Sequence, residues 1–136
     1  MAVNNIIKRI QNIMRQDAGI NGDAQRIEQM TWMFFLKVYD TQEETWEYKD
    51  ENYKSIIPED LRWRKWAVDE KDGEALTGEA LLSFVNEKLF PTLKNLPIDA
   101  NTPRAKSIVL ETFADLNQYM KNGTLLRQVV NIVNEI

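Results

Sequence analysis

Residues 23–48 lie within the longest stretch of the chain that contains neither glycine nor proline. The turn signal Asn21-Gly22 precedes them, and Asp23 can serve as a helix N-cap because its carboxylate accepts bonds from first-turn N–H groups. Apolar side chains then recur at helical spacing: Ile27, Met30, Phe34 and Val38 form one stripe, and Trp32, Met33, Phe35, Leu36 and Tyr39 fill much of the remaining circumference. A helix that is apolar nearly all round is usually buried on most sides. The pattern therefore predicts a central helix over about residues 23–48, roughly 35–40 Å long.

Further helices are predicted from capping residues and from apolar residues at helical spacing. They run from Asn4 or Asn5 to about Asp17, from Thr77 through Pro91, from Thr102-Pro103 through Met120 to Asn122-Gly123, and from Thr124 to the last residue. Pro91 should restart or kink its helix, because proline has no backbone N–H to donate. The predicted fold class is all-α: one domain over residues 1–136, a bundle of about five helices around the central one.

Residues 55–70 have the least regular pattern. Ile56-Ile57-Pro58 favours extended backbone, because the residue before a proline avoids the α region. Residues 61–68 fit either a short strand or a single helical turn. The stretch therefore also permits a minor β-hairpin within 55–70.

Composition excludes several kinds of chemistry. The chain has no cysteine and no histidine, which removes disulfides, thiolate sites, the commonest general base and nearly every zinc site. Its net charge of −4 does not suggest a broad phosphate-tracking surface. Arg62, Arg64 and Lys65 nevertheless form a compact basic spot between two acidic segments, which suits a local contact.

The basic spot belongs to the pentapeptide Arg62-Trp63-Arg64-Lys65-Trp66, in which cations alternate with aromatic rings. This pattern suits phosphate pairing combined with base stacking or cation–π contact. In the alternative interpretation, Trp63 and Trp66 plug the loop onto the helical core while the charges face water. The sequence leaves both alternatives open.

Two groups of carboxylates could suggest catalysis or metal binding. Glu43, Glu44 and Glu47 fall on one predicted helix, but di-iron bundles also need Glu-x-x-His motifs, so we predict a solvated face and no metal. Asp69 and Glu70 could act as the paired carboxylates of a small hydrolase, which is the least favoured hypothesis. No catalytic, cofactor-binding or metal-binding residue is predicted.

The ends of the chain give two expectations. Residues 1–14 lack the apolar core of a signal peptide, and no apolar run is long enough to span a membrane, so we expect a cytoplasmic protein. The last helix has no stop signal and finishes on the apolar Ile136. We therefore expect this domain to be the front piece of a longer polypeptide.

Several separated segments resemble one known family in the same order. They are Met14 to Glu47, above all Asn21-Gly22-Asp23 through Met30-Thr31-Trp32 to Leu36-Lys37-Val38-Tyr39-Asp40, then Pro58 through Arg62-Trp63-Arg64-Lys65-Trp66-Ala67, and Leu81-Leu82-Ser83-Phe84-Val85-Asn86. The chain resembles the opening of the modification (M) subunit of type I restriction–modification systems, an N6-adenine DNA methyltransferase. The family's glycine-rich S-adenosylmethionine loop and its Asn-Pro-Pro-Tyr/Phe motif are both absent from residues 1–136.

The resemblance implies a non-catalytic N-terminal helical domain. The catalytic domain with its S-adenosylmethionine would follow residue 136. The implied partners are the specificity (S) subunit, a second M subunit, the restriction (R) subunit and double-stranded DNA, which the domain would help to clamp. If it touches DNA, we predict phosphate contacts from Arg62, Arg64 and Lys65, with Arg26 and Lys37 as weaker candidates. The alternative is a stand-alone all-α protein-interaction bundle with no nucleic-acid role.

Overall fold

A computed structural model describes residues 3–68 and 75–136. Its helices in chain order are α1 (Val3–Met14), α2 (Gly22–Lys49), α3 (Trp63–Trp66), α4 (Gly78–Ser83), α5 (Phe90–Leu93), α6 (Arg104–Ala114) and α7 (Gly123–Val133). A 3-10 turn (Glu59–Leu61) precedes α3, and a π-helical segment (Phe84–Leu89) joins α4 to α5. The described residues contain no β-strand, so the predicted all-α class is confirmed. In these two ranges no helix has the length and apolar character needed to cross a membrane.

Helix α2 confirms the predicted central helix, but it buries a different side from the predicted stripe. Its buried residues are Gln29, Met30, Trp32, Met33, Leu36, Tyr39, Asp40 and Glu43. Ile27 and Val38 are instead 58% and 61% exposed. The opposite side of the helix carries the larger apolar area, including Trp32, and stabilisation by burial scales with that area. The predicted stripe is therefore wrong at Ile27 and Val38.

The start of α2 also differs from the prediction. The N-cap position belongs to Asn21, whose side chain makes no capping bond, and Asp23 lies inside the first turn. The Oε1 atom of Gln25 accepts a bond of 2.7 Å from the Asn21 N–H. A side chain in the first turn thus reaches back to the chain before the helix, as in one half of a capping box.

Helix α7 packs against α1, α2 and α4. Its buried apolar side chains are Leu126, Val129, Val130, Ile132 and Val133. Helices α4 and α7 approach so closely that a Cβ atom on Gly123 would lie 1.8 Å from the carbonyl oxygen of Gly78. Any larger residue at position 123 would force the two helices apart.

The third predicted helix is a continuous run over residues 78–93 that changes type in the middle. The Phe90 N–H bonds to the carbonyl of Val85, five residues back, which is the π-helical pattern. Pro91 follows directly and has no N–H for a bond of the α type. The helix passes through Pro91 into α5, where the Phe90 ring lies edge-to-face with Trp32 (5.0 Å) and Phe113 (5.2 Å). Three helices thus meet at one aromatic cluster.

Residues 115–122, called the strap below, connect α6 to α7 without a helix. The predicted fourth helix is therefore wrong beyond Ala114. Side chains of α2 accept the backbone N–H bonds that a continued helix would have used. Glu28 accepts from the N–H of Asn117, and the buried Gln29 accepts from that of Tyr119, each at 2.8 Å.

The far end of the strap is held by Asp17, which follows α1 and is buried. Its carboxylate accepts bonds from the N–H groups of Lys121 (2.9 Å) and Asn122 (3.0 Å), and from its neighbour Gly19 (2.7 Å). Asn122 then caps α7 by accepting from the Leu125 N–H at 2.9 Å. Because these donors are satisfied by side chains, the strap can stay non-helical against the core.

Candidate functional site

The predicted basic-aromatic pentapeptide lies within two short helical turns, Glu59–Leu61 and Trp63–Trp66, so the predicted hairpin is wrong for residues 55–68. The N–H of Leu61 bonds to the carbonyl of Pro58 (2.9 Å), and that of Ala67 bonds to Trp63 (2.9 Å). Leu61, Trp63 and Trp66 are all buried. This spacing does not alternate with period two, so a strand could not place all three on one face.

Trp63 and Trp66 are packed into the helical core, as the second of the two sequence-based alternatives describes. Their rings lie edge-to-face with centroids 5.2 Å apart. The indole N–H of Trp63 donates to the side-chain oxygen of Asn134 (2.7 Å), and that of Trp66 donates to the Leu61 carbonyl (3.0 Å). With both rings buried and both donors paired, neither ring has a face open to a nucleic-acid base.

Arg62 lies among three carboxylates and is only 5% exposed. Its guanidinium donates to Glu47 (3.0 Å) and Glu59 (3.2 Å), and its Nε atom lies 3.5 Å from an oxygen of Glu43. Burial lowers the pKa of Arg62, but the bonds to Glu47 and Glu59 outweigh it, so the pKa is raised and the charge is fixed. The Arg62 bond in turn lowers the pKa of Glu47 below its ordinary value.

Glu43 is completely buried, so the predicted solvated face is wrong at this position. The Tyr53 hydroxyl donates to one oxygen of Glu43 at 2.7 Å. The other oxygen and the facing Nε of Arg62 have no hydrogen-bond partner within the described residues. Burial, with the negative charge of Glu43, raises the pKa of Tyr39 to about 12, and burial with the bond to Glu43 raises that of Tyr53.

The remaining predicted cations differ in exposure. Arg64 is partly buried and donates to Asp40 (2.9 Å) while pairing with Glu47 (2.9 Å). The Lys65 side chain is 51% exposed, with its ammonium 3.6 Å from Glu59. The two remaining candidates, Arg26 and Lys37, lie on α2, away from this turn in sequence. Arg26 pairs with Asp23, and Lys37 is partly buried.

Asp40, Glu43, Glu47, Glu59, Arg62 and Arg64 form what we call the charged cluster. Its carboxylates outnumber its guanidiniums, so its charge does not favour an incoming phosphate. Residues 3–68 and 75–136 hold no group of three acidic side chains arranged to bind a metal ion. Asp69 and Glu70, the hydrolase hypothesis, lie outside the described residues.

Sequence reasoning missed Asp40 and Glu47 as partners of the basic spot. A signal was available: Asp40, Glu43 and Glu47 are spaced three and four residues apart, so they continue the buried stripe of Met33 and Leu36 toward the end of α2. Carboxylates on a buried stripe need cationic partners. The adjacent basic spot supplies them.

Fold and site together define a helical domain whose most charged feature is an internal ion-pair cluster. Comparison with known proteins gives the family: residues 3–133 match the HsdM N-terminal domain, and the chain belongs to that family. It is 54% identical to the type I restriction enzyme EcoEI methylase subunit of Escherichia coli, with all of this chain and 27% of that protein covered.

Two solved structures have the same fold. One is a crystal structure of a modification subunit of a putative type I restriction enzyme from Vibrio vulnificus YJ016, with a TM-score of 0.83 and 31% identity over 98% of this chain and 30% of that one. The other comes from work on complex assembly and conformational transition of the type I R-M system, with a TM-score of 0.79 and 35% identity over 98% and 26%. The chain therefore spans less than a third of the relatives it matches.

Proposed function

We propose that this domain contacts subunits and DNA in a type I restriction–modification complex, while another part of the polypeptide performs adenine methylation. The observation that carries the proposal is the likeness over nearly the whole chain to the N-terminal domain of methylase subunits. One relative was studied for complex assembly and conformational transition, which supports a role in assembly. Family membership also disfavours the alternative of a bundle unrelated to nucleic-acid enzymes.

The expected partners follow from that family. They are the specificity subunit, a second modification subunit, the restriction subunit and double-stranded DNA, in the cytoplasm. S-adenosylmethionine would bind in a catalytic domain beyond residue 136. In this division of labour, the helical domain contributes binding surfaces and the catalytic domain contributes the chemistry.

The cations proposed to touch phosphate differ in how exposed they are. Lys65 is the exposed member of the predicted set, whereas Arg62 is buried and Arg64, Arg26 and Lys37 are partly buried. Arg62 already donates to Glu47, and Arg64 already donates to Asp40. A phosphate could bind either guanidinium only by displacing its carboxylate partner. We therefore propose Lys65 as the principal phosphate contact, with Arg62 and Arg64 holding the turn that presents it.

Replacing Lys65 alone tests this proposal without disturbing the buried ion pairs. In the assembled methylase complex, Lys65→Gln should weaken DNA binding about equally for all sequences and reduce the salt slope of log K by about 0.9 for each phosphate that is no longer neutralised. The measurement is a fluorescence anisotropy titration at several salt concentrations. Arg104→Gln is a matched control, because Arg104 is also an exposed cation paired with a glutamate. If Lys65→Gln left the DNA affinity and the salt slope of log K unchanged, Lys65 would not be a DNA contact.

A further inference from the structure

The dipeptide Asn-Gly occurs twice in the chain, at Asn21-Gly22 and at Asn122-Gly123. In each case the asparagine occupies the N-cap position of a helix, α2 for the first pair and α7 for the second. An asparagine side chain is attacked most readily by the next backbone nitrogen when glycine follows, because glycine has no side chain to obstruct the approach. The two pairs lie in opposite surroundings, so one serves as a comparison for the other.

Asn21 has an accessible side chain. It is exposed and makes no capping bond to α2. The backbone N–H of Asn21 donates to Oε1 of Gln25 at 2.7 Å, so the bond that positions this residue does not involve its side-chain amide. The side-chain carbonyl carbon is therefore open both to the neighbouring backbone nitrogen and to the water that completes a reaction there.

Gly22 has the space that such a reaction needs. It is exposed, its φ is +85°, and a Cβ atom added to it would have no neighbouring atom within 4 Å. Because Gly22 is the first residue of α2, its N–H has no carbonyl partner within the helix. The peptide between Asn21 and Gly22 can therefore rotate without striking another element of the domain.

The second pair is blocked at both of its residues. The side-chain oxygen of Asn122 accepts a bond of 2.9 Å from the Leu125 N–H, and its backbone N–H donates to Asp17 at 3.0 Å. Gly123 is buried, and a Cβ atom on it would lie 1.8 Å from the carbonyl oxygen of Gly78. Closing a ring here would break the cap of α7 and move backbone that is packed against α4.

We propose that Asn21 is a site of spontaneous deamidation and that Asn122 is protected from it. The Gly22 nitrogen bonds to the Cγ atom of Asn21, and the proton that it loses leaves with the side-chain amide group as ammonia. Water then opens the resulting succinimide ring at either of its carbonyl groups. One opening gives aspartate, and the other gives isoaspartate, in which the main chain passes through the side-chain carbon. The reaction needs no oxidant, enzyme or cofactor.

Either product places a carboxylate at the N-terminus of the central helix. Aspartate is a favoured N-cap, and its negative charge complements the helix dipole, so this product should keep the fold. Isoaspartate lengthens the main chain by one methylene before Gly22 and should loosen the bond between Gln25 and the backbone of residue 21. The start of α2 would thus change as the molecule ages. This reaction involves neither DNA nor another subunit, so the inference can fail independently of the proposed function.

Mass spectrometry of peptides from the aged chain tests the proposal. The folded protein is incubated at mildly alkaline pH, and each deamidation adds the mass of water less that of ammonia. Because Asn122 must first leave its cap, Asn21 should react at least about tenfold faster than Asn122. In urea the two sites should react at similar rates, because both have lost their surroundings. Asn21→Gln is the control, since glutamine must close a larger ring, and it should abolish the change at position 21.

Circular dichroism during the incubation checks that the chain remains folded, and fragmentation by electron transfer distinguishes isoaspartate from aspartate. Both products should be found at position 21. If the Asn21 amide stayed intact in the folded chain over a period that converts it in urea, the proposal would be overturned. Equal rates at Asn21 and Asn122 in the folded chain would also overturn it, because their different surroundings would then have no effect.

Discussion

Two short segments are held against the longer helices by different kinds of bond. Residues 59–66 are held to α2 by ion pairs that Arg62 and Arg64 make with Asp40, Glu43 and Glu47. The strap is held by side-chain oxygens of Asp17, Glu28 and Gln29, which accept backbone N–H bonds. The first fastening therefore depends on matched charges, whereas the second depends on where the backbone donors point.

The two fastenings should fail in different ways. Removing one member of a buried ion pair leaves a charge without compensation, so the destabilisation exceeds the stabilisation that the pair itself provided. Removing an acceptor from the strap leaves N–H groups unpaired, and the destabilisation scales with the number of donors left. Three measurements sharpen this contrast, ordered from the largest expected effect to the smallest.

Arg62→Met should destabilise the domain by about 3–5 kcal/mol, because Glu43 would stay buried without its cation. The measurement is urea denaturation followed by tryptophan fluorescence. Lys65→Met is the matched control in the same turn and should change stability by less than about 1 kcal/mol, since its pair with Glu59 is exposed. Adding Glu43→Gln to Arg62→Met should recover part of the stability. If Arg62→Met lowered the free energy of unfolding no more than Lys65→Met does, the charged cluster would not anchor this turn.

Asp17→Asn should cost about 2–3 kcal/mol, because the new amide N–H₂ faces the backbone donors that the carboxylate accepts. Hydrogen exchange should show faster exchange at the N–H groups of Lys121 and Asn122. Asp115→Asn, at the exposed start of the strap, is the control and should have little effect. Equal protection of Lys121 and Asn122 in both variants would show that Asp17 does not hold the strap.

Glu47 should give the charged cluster a small dependence on pH. Because its pKa is lowered in the folded state, its stabilisation is complete above the ordinary value of 4.5 and is lost as the pH falls through the lowered value. Glu47→Gln should therefore be less stable than the natural chain by under about 1 kcal/mol near neutral pH, and the difference should vanish in acid. If the stability difference between Glu47→Gln and the natural chain stayed constant from neutral to acidic pH, ionisation of Glu47 would not contribute to stability.

The same contrast explains what the sequence could predict. The central helix follows from its uninterrupted apolar pattern, and burial of Trp63 and Trp66 was one of the two alternatives that the sequence left open, in keeping with their size and apolar character. Arg62 was predicted to be a surface cation because its partners lie 15 and 19 residues earlier, at Glu47 and Glu43, and composition does not show which side of α2 those carboxylates face.

The strap was not predictable from local pattern. Leu116 and Met120 continue the apolar spacing of α6, so the sequence favours more helix there. The competing acceptors, Asp17 and Gln29, come from positions about 90 to 105 residues away. Only the tertiary fold brings them to the strap, and tertiary context routinely overrides local propensity.

The π-helical segment at Phe84–Leu89 has a consequence for deletions in this fold. Leu81, Val85, Leu89 and Leu93 are all buried although each is four residues from the next, a spacing that drifts by about 40° per step in an α-helix. The wider turn corrects that drift. Deleting one residue here would rotate Phe90 and all that follows by about 100° and turn its ring away from Trp32. The length of this turn is thus a determinant of the fold, and deletion scanning would reveal it where alanine scanning would not.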